Sequence, residues 1–122
     1  LERVYLVDDK PFALARAWLL PQASKVSRAQ AVTHPIYSIL QKLLDLQVDR
    51  ADVGIVARAC DADEARLLEL SDGSPVLVMD RVSRDARSQV LEATSFTIRP
   101  ENYRFSLSVR GPIAITRKIR SV

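Results

Sequence analysis

The stretch 78-VMDRVSRDARSQVLEATSF-96 decides how this chain is read. Two runs rich in Val, Leu and Thr flank a polar centre, which is the composition of a β-hairpin. Yet Arg81 and Glu92 stand inside the strands. A charge in apolar company is costly when buried alone, so each must pair, reach water or meet a charged ligand. The simplest expectation is a cross-strand Arg81–Glu92 pair on a solvated face.

A similar phrase opens the chain, 1-LERVYLVDDKPFALARAW-18. At an offset of 78 (81 minus 3), Arg3 falls on Arg81, Val4 on Val82 and Trp18 on Phe96. Two readings follow: chance likeness between two hairpins, or a domain with a pseudo-two-fold axis whose hairpins face one centre. Strand alternation puts Arg3, Tyr5 and Val7 on one face, opposite Val4 and Leu6. Arg81 shares a face with Leu77 and Met79, and Glu92 with Val90, Thr94, Phe96 and Ile98.

Between the two phrases the period changes. Ile36, Ile39, Leu40, Leu43 and Leu44 recur at helical spacing after Thr33-His34-Pro35, where a proline suits a first turn. Thr33 or His34 is thus expected near a helix N-terminus. "DVGIVARAC" returns to a strand, and Asp61 is placed to cap a helix over "ADEARLLEL", with acids in its first turn. "SDGSP" is a turn, and "YRFSLSV" reads as one more strand. The expected order is β-β-α-β-α-β-β-β, an α+β domain with a mainly antiparallel sheet. The tail 110–122 is expected to be an edge strand or disordered.

At 122 residues the chain suits one domain with one core. With 48% apolar and 27% charged residues it reads as soluble and globular. No apolar run is long enough to span a bilayer, and no signal-peptide pattern is present. The first residue is Leu1, so a portion of a longer protein is expected. The single cysteine, Cys60, excludes an internal disulfide and fits a reducing cytoplasm. It reads as a small buried hydrophobe. One His and one Cys build no typical zinc site, and no cofactor is expected. A net charge of +3 is no nucleic-acid stripe, and the basic run Arg117–Arg120 reads as a solvated tail.

The ordered set "DDKPFALARAWLLP", "HPIYSILQKLL", "ARACDADEARLLELSDGSPVLVMDRVSRD" and "VLEATSFTIRPENYRFSL" resembles the UTRA domain. That is the effector-binding domain of the HutC subfamily of GntR-type bacterial transcription regulators. The most specific piece runs from Ala65 to Leu77, followed by Arg81, Glu92 and "YRF". The resemblance covers residues 1–109 and implies a fold similar to chorismate lyase, with a small-molecule cavity. It also implies a winged helix-turn-helix domain, and a helix and strand, before Leu1. The UTRA-like domain is therefore expected to be N-terminally truncated, touching DNA only through that absent domain.

The resemblance carries ligand residues over unevenly. It matches Arg3, Glu92 and Tyr103, and keeps Tyr37. A second arginine found in phosphosugar-binding members is Tyr5 here, a glutamate of the next strand falls near Ala15, and a helix-opening serine is Pro35. These departures weaken the case for a sugar phosphate, and the expected effector is a smaller or flatter anion, such as a carboxylate or aromatic acid held by Arg3 and stacked near Tyr5. The expected ligand-binding set is Arg3, Tyr5, His34, Tyr37, Arg81, Glu92 and Tyr103, with His34 and Tyr37 at a helical rim. A homodimer is expected. The alternative function is a chorismate-lyase-like enzyme acting on a small carboxylate, with Arg3, Arg81 and Glu92 as its rudiment. A dimerisation domain without effector is the third reading.

Overall fold

A computed structural model describes residues 1–101 and 103–111. Five strands form one antiparallel sheet in the order β1-β2-β5-β4-β3. They are β1 (Glu2–Val7), β2 (Lys10–Leu19), β3 (Arg50–Ala59), β4 (Pro75–Arg84) and β5 (Val90–Ile98). The hairpin β1–β2 turns through Asp8 and Asp9, with φ of 51° and 61°. Positive φ at both central residues matches the right-handed twist of the strands, and aspartate tolerates it better than most side chains.

The two hairpins, β1–β2 and β4–β5, meet edge to edge through β2 and β5. This is the arrangement a pseudo-two-fold axis produces. Arg3 pairs with Ala15 and Arg81 with Thr94, and both arginines lie on one face, here called the front. The offset of 78 fails further on. Trp18 sits opposite Ala93 on the back face, whereas Phe96 sits opposite Ala15 on the front.

Helical segments cover the front. A 3-10 turn (Pro21–Lys25) leads into α1 (Arg28–Thr33), closed at its start by a Ser27/Gln30 capping box. Then α2 (Ile36–Ser38) continues into a π-turn (Ile39–Leu43). The expected single start at "THP" is corrected here. Pro35 cannot donate a backbone hydrogen bond and stands as the N-cap of α2, while His34 is the C-cap of α1. Leu20, Ile36, Leu40 and Leu91 form the main cluster beneath.

On the back lies α3 (Ala62–Leu68), capped by Asp61 as its sequence indicates. Its Leu68 and Ala65 are buried, and Cys60 packs with Ala65, Val76 and Val78. Glu64 is buried too. It takes two hydrogen bonds from Arg58 (2.7 and 2.8 Å), one from Thr97 (3.0 Å) and one from the Asp61 backbone (3.0 Å).

The sixth strand expected over "YRFSLSV" is corrected as well: residues 103–109 carry no strand. Their apolar alternation is real, but Phe105, Leu107 and Val109 are exposed and find no ladder partner among the described residues. Alternation marks a chain able to pair, and a strand also needs an edge to pair with. Of the tail expected at 110–122, residues 112–122 lie outside the described residues.

Arg58 holds the Glu64 carboxyl down to about 2, with its backbone and Thr97 hydrogen bonds adding to the effect. A lowered folded-state value means stability that is present above the unfolded value and lost as pH falls through the folded one. Glu64→Gln should therefore cost about 2 kcal/mol near neutral pH, a figure reduced for the exposure of Arg58. The cost should shrink between pH 4.5 and 2, as read from urea titrations at several pH values.

Candidate functional site

Glu92 is fully buried near the start of β5. It sits opposite Ser83 and diagonal to Arg81, where strand register brings their side chains to the same face. Arg81 Nε donates to Oε1 at 2.6 Å, Ser83 Oγ donates to the same oxygen at 2.8 Å, and Thr94 donates to Oε2. Since the Ser83 proton goes to Glu92, the Tyr37 hydroxyl must donate to Ser83 Oγ, 2.9 Å away. The Arg81 guanidinium lies 4.2 Å from the Tyr37 ring centre and 5.3 Å from that of Phe96. The expected Arg81–Glu92 pair thus exists, but the solvated face is corrected to a buried one. Side-chain exposure is 16% for Arg81 and 0% for Glu92. The helix bearing Tyr37 and the ring of Phe96 exclude the water.

Arg3 fares differently. Its front-face neighbours on β2 are Ala13, Ala15 and Ala17, none of which supplies a carboxylate. Among the described residues it makes no ion pair. One terminal nitrogen donates to the Ala31 carbonyl of α1, and the buried Nε has no partner among the described residues. Arg3 and Tyr5 line a concavity of about 300 Å³ with Glu2, Val4, Val32, Thr33, His34 and Pro35, and the Glu2 carboxylate there is paired with Arg16. His34 Nδ1 lies 2.9 Å from the Gln30 carbonyl, a pure acceptor, so Nδ1 carries a proton and donates to it.

The seven expected residues therefore fall into three places. Arg3, Tyr5 and His34 share the concavity at β1. Tyr37, Arg81 and Glu92 form a packed polar cluster on the same sheet face. Tyr103 stands apart, its ring 5.7 Å from that of Phe12.

The UTRA domain profile matches residues 1–104. The chain belongs to the UTRA domain family. It is 34% identical over 113 residues to the HTH-type transcriptional regulator Rv0792c of Mycobacterium tuberculosis, covering 89% of this chain and 42% of that protein. The chain thus spans less than half the length of this curated relative. A Streptomyces coelicolor structure described as a transcriptional regulator superposes with TM-score 0.80 at 29% identity, covering 90% of this chain and 74% of the other. The ligand-binding domain of a protein described as a GntR-family regulator, from Bordetella bronchiseptica, superposes with TM-score 0.79 at 21% identity, covering 89% and 72%. The latter likeness shows the fold, which is the chorismate-lyase-like α+β sheet.

Sequence reasoning missed Ser83 and Thr94 as partners of Glu92 in this UTRA domain. Both were within reach of the period-2 rule, since Ser83 is two residues from Arg81 and Thr94 two from Glu92. The Ala31 carbonyl carried no signal, because every residue has one.

The two arginines should respond differently to removal. Arg81→Met strands a buried carboxylate and should cost about 3–5 kcal/mol. Arg3→Met loses one hydrogen bond and should cost about 1 kcal/mol. Denaturant titrations of both variants check this, and equal costs would contradict the asymmetry.

Proposed function

We propose that this UTRA domain binds a small anionic effector at Arg3 and relays its occupancy to the DNA-binding part of a GntR-type regulator of the HutC subfamily. The observation that carries the reading is the half-buried Arg3, without an ion pair among the described residues, beside a concavity that also holds Tyr5, Thr33 and His34. A buried guanidinium nitrogen without a partner favours a carboxylate or phosphate, which forms short charge-assisted hydrogen bonds. Tyr5 and His34 supply further polar contact, and Arg81 and Glu92 act as the rigid floor rather than as ligands. A relay requires that the effector bind one arrangement of the whole regulator better than another.

The enzyme alternative is less well supported. Glu92, the carboxylate it would need, is saturated by Arg81, Ser83 and Thr94 and has no exposed oxygen for acid–base work. The cytoplasm is the proposed location, and no helix among the described residues is long and apolar enough to cross a membrane.

Residues 1–109 are proposed to be the effector domain, with a further helix and strand contributed before Leu1 in the whole regulator. Support comes from the back face. Its α3 half is covered, whereas the half with Trp18, Val82 and Ala93 is an open concavity of about 640 Å³, and Trp18 is 52% exposed. A homodimer is also proposed. All ten residues of β3 are exposed, including Val53, Ile55 and Val56, so this edge strand offers both backbone groups and apolar side chains to a second copy. Sedimentation equilibrium should show a dimer that Ile55→Lys weakens; a wild-type monomer at high concentration would count against it.

The effector reading is tested by thermal shift with a panel of small carboxylates and phosphates, because binding to the native state raises its melting temperature. At least one member should raise Tm, and Arg3→Ala should weaken its binding about 30-fold, the equivalent of about 2 kcal/mol. Undiminished binding by Arg3→Ala would remove Arg3 from the site.

A further inference from the structure

The thirteen residues from Pro21 to Thr33 contain no buried side chain. Both ends are pinned: Leu20 is 2% exposed and Ile36 is 4% exposed, within one apolar cluster. Between these pins the 3-10 turn and α1 are held by little besides their own caps. Among the described residues, the side-chain hydrogen bond that ties α1 to the sheet is the one from Arg3 to the Ala31 carbonyl.

What α1 separates is informative. On one side lies an apolar cavity of about 490 Å³, lined by Ala17, Leu19, Leu20, Val26, Ala31 and Ile39 among others. On the other lies the Arg3 concavity, lined by Val32, Thr33 and His34. Consecutive residues of one short helix, Ala31 and Val32, face the two spaces. The wall between them is the C-terminal turn of α1.

We infer that residues 21–33 are a lid latched by Arg3, and that an anion taking Arg3 releases the latch and joins the two cavities into one site for a carboxylate with an apolar body. The chemistry is a competition for one guanidinium. An anion that engages Arg3 side-on uses Nε and the terminal nitrogen beside it. The Ala31 carbonyl, a neutral acceptor, then competes with a charged one and loses. The released turn exposes Leu19, Val26 and Ile39 of the apolar cavity, which an aliphatic or aromatic body covers. The ligand thus has its charge at Arg3 and its apolar part beneath the lid. A lid held by few contacts is the kind of element that opens locally without unfolding the sheet.

This inference deepens the anionic-effector reading and rests on it only for the ligand step. Hydrogen exchange by mass spectrometry, on the wild type and on Arg3→Ala, tests the latch without any ligand. The amides that report are Gln30, Ala31 and His34, bonded respectively to the Ser27 side chain, the Ser27 carbonyl and the Gln30 carbonyl. In Arg3→Ala their exchange should rise about tenfold, while amides of β5 stay as protected as in the wild type. Unchanged exchange in α1 overturns the latch.

Benzoate, a carboxylate with an apolar body, tests the ligand step on the same peptides. Added to the wild type, it should change exchange across residues 21–33 in a saturable way, and have no such effect on Arg3→Ala. A benzoate effect that persists in Arg3→Ala overturns the role of Arg3 as the anion's seat. If the latch result holds but benzoate leaves wild-type exchange untouched, the latch stands and the apolar-carboxylate ligand is overturned.

Discussion

A carboxylate removed from water has to find its charge and its protons elsewhere, and Glu92 finds them in Arg81, Ser83 and Thr94. Much of the front face follows from that requirement. The ion pair fixes how β4 lies against β5, since a slip of one residue would turn Arg81 away from Glu92. Ser83, committed to Glu92 by its proton, becomes an acceptor for Tyr37 and so docks the α2 segment onto the sheet. The Tyr37 and Phe96 rings then shield the guanidinium they stack against. Removing either charge leaves the other without compensation in a site with almost no water.

The pseudo-two-fold arrangement makes the contrast with Arg3 meaningful. Each hairpin places an arginine on the front face, yet only one half supplies a carboxylate. Opposite and diagonal to Arg3 on β2 stand three alanines. One arginine is paired with a carboxylate, and the other has none among the described residues, which is what supports its proposed role as the anion's seat. The arrangement of the two hairpins fits a chain that states Arg-Val and a turn twice. The repeat does not extend to Trp18 and Phe96, because the two hairpins place those residues on opposite faces.

Strands announced themselves where alternation coincided with a partner. All five, together with the Asp61-capped helix, follow from short-range patterns. The segment 103–109 alternates just as well and forms no strand, because pairing depends on an available edge and not on the segment alone. Helical spacing after Pro35 marks one helix start; the Ser27/Gln30 capping box, a shorter signal, marks an earlier helix that ends before Pro35. At the site, alternation grouped Arg3 with Tyr5 and Glu92 with Thr94 and Phe96, each within its own strand; that Arg3 and Glu92 share a face follows only from the register of β1, β2 and β5. Alternation could not show that Tyr37 would roof the Arg81–Glu92 pair, since what covers a face comes from elements distant in sequence. Tyr103, carried over by resemblance alone, rests against Phe12 instead.

The central claim is that Arg81 is already engaged and Arg3 awaits an anion. It is tested most directly by the proton–nitrogen NMR signals of the two Nε–H groups, assigned with Arg3→Lys and Arg81→Lys and followed during titration with benzoate. The account predicts that the Arg3 signal moves downfield in a saturable manner as its Nε gains an acceptor, while the Arg81 signal, already hydrogen-bonded to Glu92, stays in place. Movement of the Arg81 signal with a stationary Arg3 signal would contradict it, and would place the anion at the Glu92 cluster instead.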